Sequence, residues 1–225
     1  IAGCDTVFHV ASAVYLTAKN PQKEIVDPAV QGTQNVFSAI AKAGTVTKVG
    51  LTSSIAAVLD VAPRPGHTYT EADWVRDATV DKSPYPLSKR LAEEAAWAAH
   101  KAMPEDQRYE LVVVNPVLVT GPIYAKVHVR SSPGVLKSLM TGAFKGCPNL
   151  GFGLVDVRDV CQAMIGGLEA GGKTGRYLLH AESLWMRQIA GIIAELYPDR
   201  DVPLRTIPNP LMYVAALFDK RLTWD

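Results

Sequence analysis

The chain has 225 residues, 48% of them hydrophobic, with 23 Lys and Arg against 22 Asp and Glu and a net charge of +1. That length and apolar content allow one large domain, or one domain with a smaller lobe; the even charge balance excludes a basic footprint for nucleic acid, and no apolar run reaches the ~18 residues of a membrane span. Cys4, Cys147 and Cys161 are too few and too unevenly spaced for a disulfide framework or a CxxC metal pair, so a reducing cytoplasm is the expected setting and small molecules are the expected partners.

In chain order, residues 5–10 (DTVFHV) form a short apolar, β-branched run that predicts a buried strand. Across 26–43, Val26, Val30, Val36, Phe37, Ile40 and Ala41 recur at helical spacing, and Gly44 stands where a helix-ending glycine is expected. Residues 46–52 (VTKVGLT) predict a second strand, and strand, helix, strand predicts a parallel sheet with crossover helices. A polar, proline-containing loop over 62–82 leads to a helix over 84–103 and a strand over 109–115 (YELVVVN), which is apolar on both faces and belongs inside the sheet. Beyond Pro122 the pattern is less regular, with helices over 134–144, 156–169 and 184–196, a short segment over 150–155 and a strand over 176–180.

The expected fold is α/β: a Rossmann-type doubly wound parallel sheet followed by a smaller α/β substrate lobe. The dinucleotide-binding part is expected over 1–122 and the lobe over 123–225, with 150–170 returning to the main domain. Such a fold opens with strand, glycine-rich turn and helix, yet neither GxGxxG nor GxxGxxG occurs near Ile1. The expectation is a chain that starts in mid-fold, short of its first βαβ segments by roughly 60 residues at ~30 per unit, and that binds dinucleotide poorly as it stands.

The stretch SPYPLSKRLAEEAAW, residues 83–97, sets Tyr85 and Lys89 four apart on one helix face. A free tyrosine titrates near about 10, and both a neighbouring ammonium and the positive end of a helix bring that value down. Pro84 and Pro86 are tolerated only in a first helical turn, which puts Tyr85 where the dipole acts. A bare YxxxK more often marks a tyrosine packed beside Pro86 and a solvated Lys89. Thr52, Ser53 and Ser54 shift that balance, because ligands of open parallel sheets bind outside the carboxyl ends of strands. Paired serines there also serve as loop or cap residues. Val10, Ala11 and Ser12 end the first strand at the same edge, where a cofactor can approach the backbone, and His9 reads as a satisfied edge histidine before it reads as a base.

Seven segments then occur in a familiar order: DTVFHVAS, VQGTQNVFSAIAKAG, VTKVGLTSSIAAV, YTEADW, SPYPLSKRLAEEAAW, VVVNPVLVTGP and VDVRDVCQAM. Together they resemble the extended short-chain dehydrogenases/reductases, the NAD-dependent epimerase/dehydratase superfamily, in the branch of dihydroflavonol reductases and aldehyde or ketone reductases. The resemblance implies reduction of an aldehyde or ketone by hydride transfer, with Tyr85 as general acid, Lys89 lowering its pKa and holding the nicotinamide ribose, and Ser54 polarising the carbonyl. It also implies that Val10, Ala11, Ser12, Thr52 and Ser53 line the cofactor and that Pro116, Leu118 and Val119 form the turn that meets the nicotinamide end. It favours NADP(H) over NAD(H). The partners it implies are a small carbonyl or alcohol substrate, with the protein a monomer or homodimer and no nucleic acid or membrane involved.

Two other readings share the scaffold. A nucleotide-sugar dehydratase pairs the serine position with adjacent acids, whereas Ser54 is followed by Ile55, Ala56 and Ala57. A non-catalytic dinucleotide-binding regulator usually loses the tyrosine, which this chain retains. In the lobe, Ile123, Val127, Val135, Leu136 and Met140 suit either a substrate pocket or a core.

Overall fold

The computed structural model describes residues 1–12, 18–125, 129, 132–208 and 210. The elements run β1 (Thr6–His9), α1 (Asp27–Ala43), β2 (Lys48–Thr52), α2 (Pro84–Ala102), β3 (Glu110–Pro116), β4 (Leu118–Thr120), α3 (Pro133–Met140), β5 (Cys147–Pro148), β6 (Gly151–Asp156), α4 (Val157–Glu169), β7 (Gly175–Leu179), β8 (Glu182–Trp185), α5 (Met186–Leu196) and β9 (Thr206–Ile207). The chain divides into two compact units, Ile1–Pro116 with Arg158–Leu179, and Val117–Val157 with His180–Asp225.

The first unit is a parallel sheet in the order β1-β2-β3-β7. Period-two alternation sorts its side chains between two layers of helix. Val49 and Leu51 of β2 and Leu111 and Val113 of β3 join Phe37 and Ile40 of α1 and Ala96 of α2 in one core cluster. Gly50 and Val112 point the other way, toward α4: a Cβ on Gly50 would stand 2.8 Å from the Met164 thioether and 2.9 Å from the Phe8 ring, and one on Gly167 would stand 3.1 Å from Val112. Helices on both faces of a parallel sheet make the unit doubly wound, and β3, buried on both sides, is almost wholly apolar for that reason.

Helix α1 follows its sequence pattern. Ala29, Thr33, Phe37 and Ile40 recur every three or four residues as its buried stripe. It stops at Gly44, whose φ of 64° is the left-handed cap that glycine adopts without a Cβ clash, with its N–H on the Ile40 carbonyl. One π-helical turn, Gln22–Val26, leads into it. The short strands β4, β5, β8 and β9 were not foreseen in the sequence, because two to four residues cannot show alternation.

The second unit pairs β4 parallel and β8 antiparallel with β6, and sets β5 beside β9. Its core gathers Leu139 of α3, Cys147 of β5, and Met186, Ile189, Ala190 and Ile193 of α5, with Val135, Leu136 and Met140 packed against them. Ile123, Leu136 and Met140 also line a cavity of about 350 Å³. A larger one of about 800 Å³ lies beside Phe144, Arg200 and Arg205 and includes none of the expected catalytic or cofactor-binding residues. Val127 lies outside the described residues.

Candidate active site

The chemistry expected from the sequence collects in the first unit, where β2 ends beside the start of α2. Helix α2 opens at Pro84, which needs no N–H in a first turn, after Ser83, whose hydroxyl accepts the Thr79 N–H at 3.0 Å and whose carbonyl accepts the Leu87 N–H at 3.2 Å. Tyr85, Lys89 and Glu93 then follow at four-residue intervals on one face. Just past β2, Ser54 caps a 3₁₀ turn at Ile55–Ala57, its Oγ accepting the Ala56 N–H at 3.1 Å.

The Ser54 hydroxyl neighbours the Tyr85 hydroxyl and acts on its titration. The Lys89 Nζ lies 5.8 Å from the centroid of the Tyr85 ring. The expected fall in the tyrosine pKa is not met. Burial pushes it above its ordinary value, and the neighbouring Ser54 hydroxyl opposes that rise. Burial also strips the Lys89 ammonium of water and draws it down to about 8, against the pull of the Glu93 carboxylate. The physical reason is that the low-dielectric setting which strengthens the contacts also disfavours both charged forms.

Ala11, Ser12, Thr52, Ser53 and Lys89 share one cleft at the carboxyl ends of β1 and β2 with His9 and Thr33. Its enclosed part is only about 20 Å³, room for one water, so a larger group would meet it at its rim. His9 Nε2 lies 3.3 Å from Thr33 Oγ1, and burial, then the Lys89 charge, lower its pKa, which keeps the ring neutral. Val10 is 59% exposed at the end of β1. Pro116 is buried at the end of β3 in the same unit, whereas Leu118 and Val119 belong to β4 of the second unit.

Three residues that sequence reasoning passed over complete the site. The Glu93 carboxylate, 1% exposed, accepts the Ser53 Oγ–H at 2.6 Å, the Asn115 Nδ2–H at 2.8 Å, the Arg176 Nε–H at 2.6 Å and the Trp97 Nε1–H at 3.3 Å. Asn115 also donates to the Ser54 carbonyl at 3.1 Å. Arg176 stacks its guanidinium 3.7 Å from the centre of the Trp74 ring and donates to the Glu71 and Asp73 carbonyls. For Ser53 and Asn115 the signal was present in the alternation, whereas the place of Arg176 is set by strand register. Ser53 continues the face of Val49 and Leu51, Asn115 continues that of Leu111 and Val113, and Arg176 is the register partner of Val113. All three therefore face α2, at the height of Glu93.

Among the described residues no group of three His, Cys, Asp or Glu is placed to hold a metal ion, and no helix is long and apolar enough to cross a membrane. A nicotinamide cofactor is implied by the fold. The groups present fit its ribose end, since the Lys89 ammonium and the Thr52 hydroxyl can donate beside the small Ala11 and Ser12, while Ser53, whose proton goes to Glu93, can only accept there.

Comparison with known proteins places the chain. Cinnamoyl-CoA reductase CAD2 of Medicago truncatula is 38% identical over 207 residues, which are 90% of this chain and 62% of that protein. An anthocyanidin reductase ((2S)-flavan-3-ol-forming) of Vitis vinifera is 36% identical over 217 residues, 90% of this chain and 63% of the relative. The crystal structure of yeast methylglyoxal/isovaleraldehyde reductase Gre2 complexed with NADPH superposes with a TM-score of 0.78 at 30% identity, covering 89% of this chain and 64% of that one. The chain thus spans somewhat under two thirds of the length of these relatives. Residues 1–168 match the family model of the 3-beta hydroxysteroid dehydrogenase/isomerase family, and the chain belongs to that family.

Proposed function

We propose that the protein reduces an aldehyde or ketone with a nicotinamide cofactor and that Tyr85 donates the proton. The observation that carries this reading is the gathering of Tyr85, Ser54 and Lys89 where β2 ends beside the start of α2, with the Ser54 hydroxyl neighbouring that of Tyr85 and the Lys89 amine 5.8 Å from the centroid of the tyrosine ring. Two hydroxyls meeting at the carboxyl end of a strand can both donate to one carbonyl oxygen. Ser54 polarises that oxygen, and Tyr85 gives up its proton as the oxygen gains charge. A tyrosine whose pKa lies above its ordinary value is fully protonated at neutral pH, the state a proton donor needs. Lys89 stands ready to stabilise the phenolate left behind.

When bound, the cofactor supplies the hydride. Lys89 and Thr52 would donate to its ribose, Ser53 could accept from it, and Ala11 and Ser12 leave the backbone open to it. NADP(H) is preferred over NAD(H) in this reading, supported by Gre2 structures with NADPH from yeast and Candida albicans. A cytosolic setting agrees with three free cysteines.

The test is NADPH consumption with a panel of aldehydes, ketones and flavanonols, the wild type beside Tyr85→Phe. Loss of a general acid lowers kcat by about 10² or more. Turnover unchanged in Tyr85→Phe removes the tyrosine from the mechanism, and no turnover in the wild type with any of the panel removes the reaction class.

A further inference from the structure

We propose that Glu93 is a positioning residue of this site: its buried carboxylate anchors the turn that carries Ser54, through Ser53 and Asn115, and holds the Lys89 ammonium beside Tyr85. The inference rests on the carbonyl reductase reading, but its structural basis is separate. A carboxylate 1% exposed is costly to bury, and it is kept there only when its lone pairs are filled. Glu93 receives four donors, from Ser53, Asn115, Arg176 and Trp97. A neutral residue would satisfy the packing at lower cost, so the charge is the feature to explain.

Two of those donors lead to Ser54. Ser53 is its neighbour in the chain, and the same Asn115 Nδ2 that reaches Glu93 also reaches the Ser54 carbonyl at 3.1 Å. The height of the turn above β3 is thereby set by the carboxylate. The charge itself acts on Lys89, one helical turn before Glu93 on the same face. The titratable groups around that amine are His9 of β1, neutral in this setting, and Tyr85 and Glu93 of α2; Arg176 of β7 lies beyond Glu93 and is bonded to it. Glu93 is thus the negative charge that opposes the loss of the Lys89 proton on burial. Without it, a positive charge beside the tyrosine would persist only at lower pH.

The experiment compares wild type, Glu93→Gln and the double variant Glu93→Gln/Arg176→Gln. The double variant removes both charges of the ion pair and is expected to fold even if the single variant, which leaves Arg176 buried without its anion, does not. Lysine labelled with ¹³C at Cε reports the Lys89 titration directly, its resonance assigned by its disappearance in Lys89→Arg. The Lys89 midpoint is expected to fall by about one pH unit or more in Glu93→Gln, and to fall in the double variant too. The high-pH limb of the reduction rate should move down with it, and kcat should drop more than KM. An unmoved Lys89 titration in either folded variant overturns the proposal, even if the melting temperature falls, since a purely structural carboxylate changes stability without moving Lys89. If the wild type reduces no carbonyl compound, the functional reading fails, while the Lys89 titration still decides the role of Glu93.

Discussion

Glu93 and Asp73 are both carboxylates ringed by donors in the same unit, and they are built in opposite ways. Asp73 takes Arg64 Nη2 at 2.8 Å, His67 Nε2 at 2.9 Å and the Thr70 N–H at 2.9 Å, partners nine, six and three residues away in the chain. Three of Glu93's partners, Arg176, Ser53 and Asn115, lie 83, 40 and 22 residues away. The first cluster can close within its own loop and shapes that loop. The second exists only after β2, β3 and β7 have paired, so it reports on the assembled sheet and can transmit the sheet's geometry to Ser54 and Lys89.

The sharpest way to break this contrast is Glu93→Leu. It leaves the Arg176 side chain buried without its anion, and the expected loss of stability in urea unfolding is about 3–5 kcal/mol. A Glu93→Leu/Arg176→Met chain should recover most of that loss, because a buried ion pair and an apolar pair of similar volume often come out about equal. Full stability in Glu93→Leu alone would abolish the distinction between the two clusters.

Asn115→Ala removes the donor shared by Ser54 and Glu93 from a fully buried position, with an expected cost of about 1–3 kcal/mol. Its turnover should fall while the Lys89 titration stays near the wild-type midpoint, separating the anchoring of the turn from the holding of the charge. The wild-type pH profile is the next measure. With Lys89 drawn down to about 8 by burial, only about a tenth of the amine is charged one unit above that midpoint, so reduction should decline from pH 8 upward, and a rate flat to pH 10 would detach Lys89 from the chemistry.

The smallest effect belongs to Asp73→Asn. The Arg64 guanidinium, then the Thr70 N–H and His67, hold the Asp73 carboxyl well below the usual carboxylate range. A depressed carboxyl stabilises the fold above its unfolded pKa of about 4 and loses that contribution as pH falls further. Melting curves from pH 6 to 3 should therefore be shallower for Asp73→Asn in the acid range, with turnover at pH 7 unchanged. A turnover loss as large as that of Tyr85→Phe would mean that the loop, too, acts on the site.

Much of the fold was readable because its elements are regular. Phe37 and Ile40 at helical spacing, Gly44 at the cap, and the apolar YELVVVN run carry their own periodicity, and strand, helix, strand admits few topologies. Strands β4 and β8 carry too few residues to show a period, and their pairing with β6 rests on partners far away in the chain. At the site, Tyr85 and Lys89 could be paired by helical spacing and the Thr52–Ser54 strand end set on the same edge, while the choice of Ser54 over Ser53 came from the resemblance to the reductases. Glu93 and Arg176 could not be joined from sequence alone, since charged residues are usually solvated and nothing local marks these two as buried. The direction of the Tyr85 pKa was misread for the same reason: a helix start and a neighbouring lysine are visible in a sequence, whereas desolvation is not.

By itself the sequence determined the periodic elements, the parallel sheet and the pair Tyr85 and Lys89, because spacing along one chain decides which side chains share a face. Only the tertiary structure decided which charges lose their water and which distant donors replace it. Burial and long-range pairing depend on how β2, β3 and β7 meet under α2, and that meeting turns Glu93 from an ordinary helix residue into the buried anion of the site.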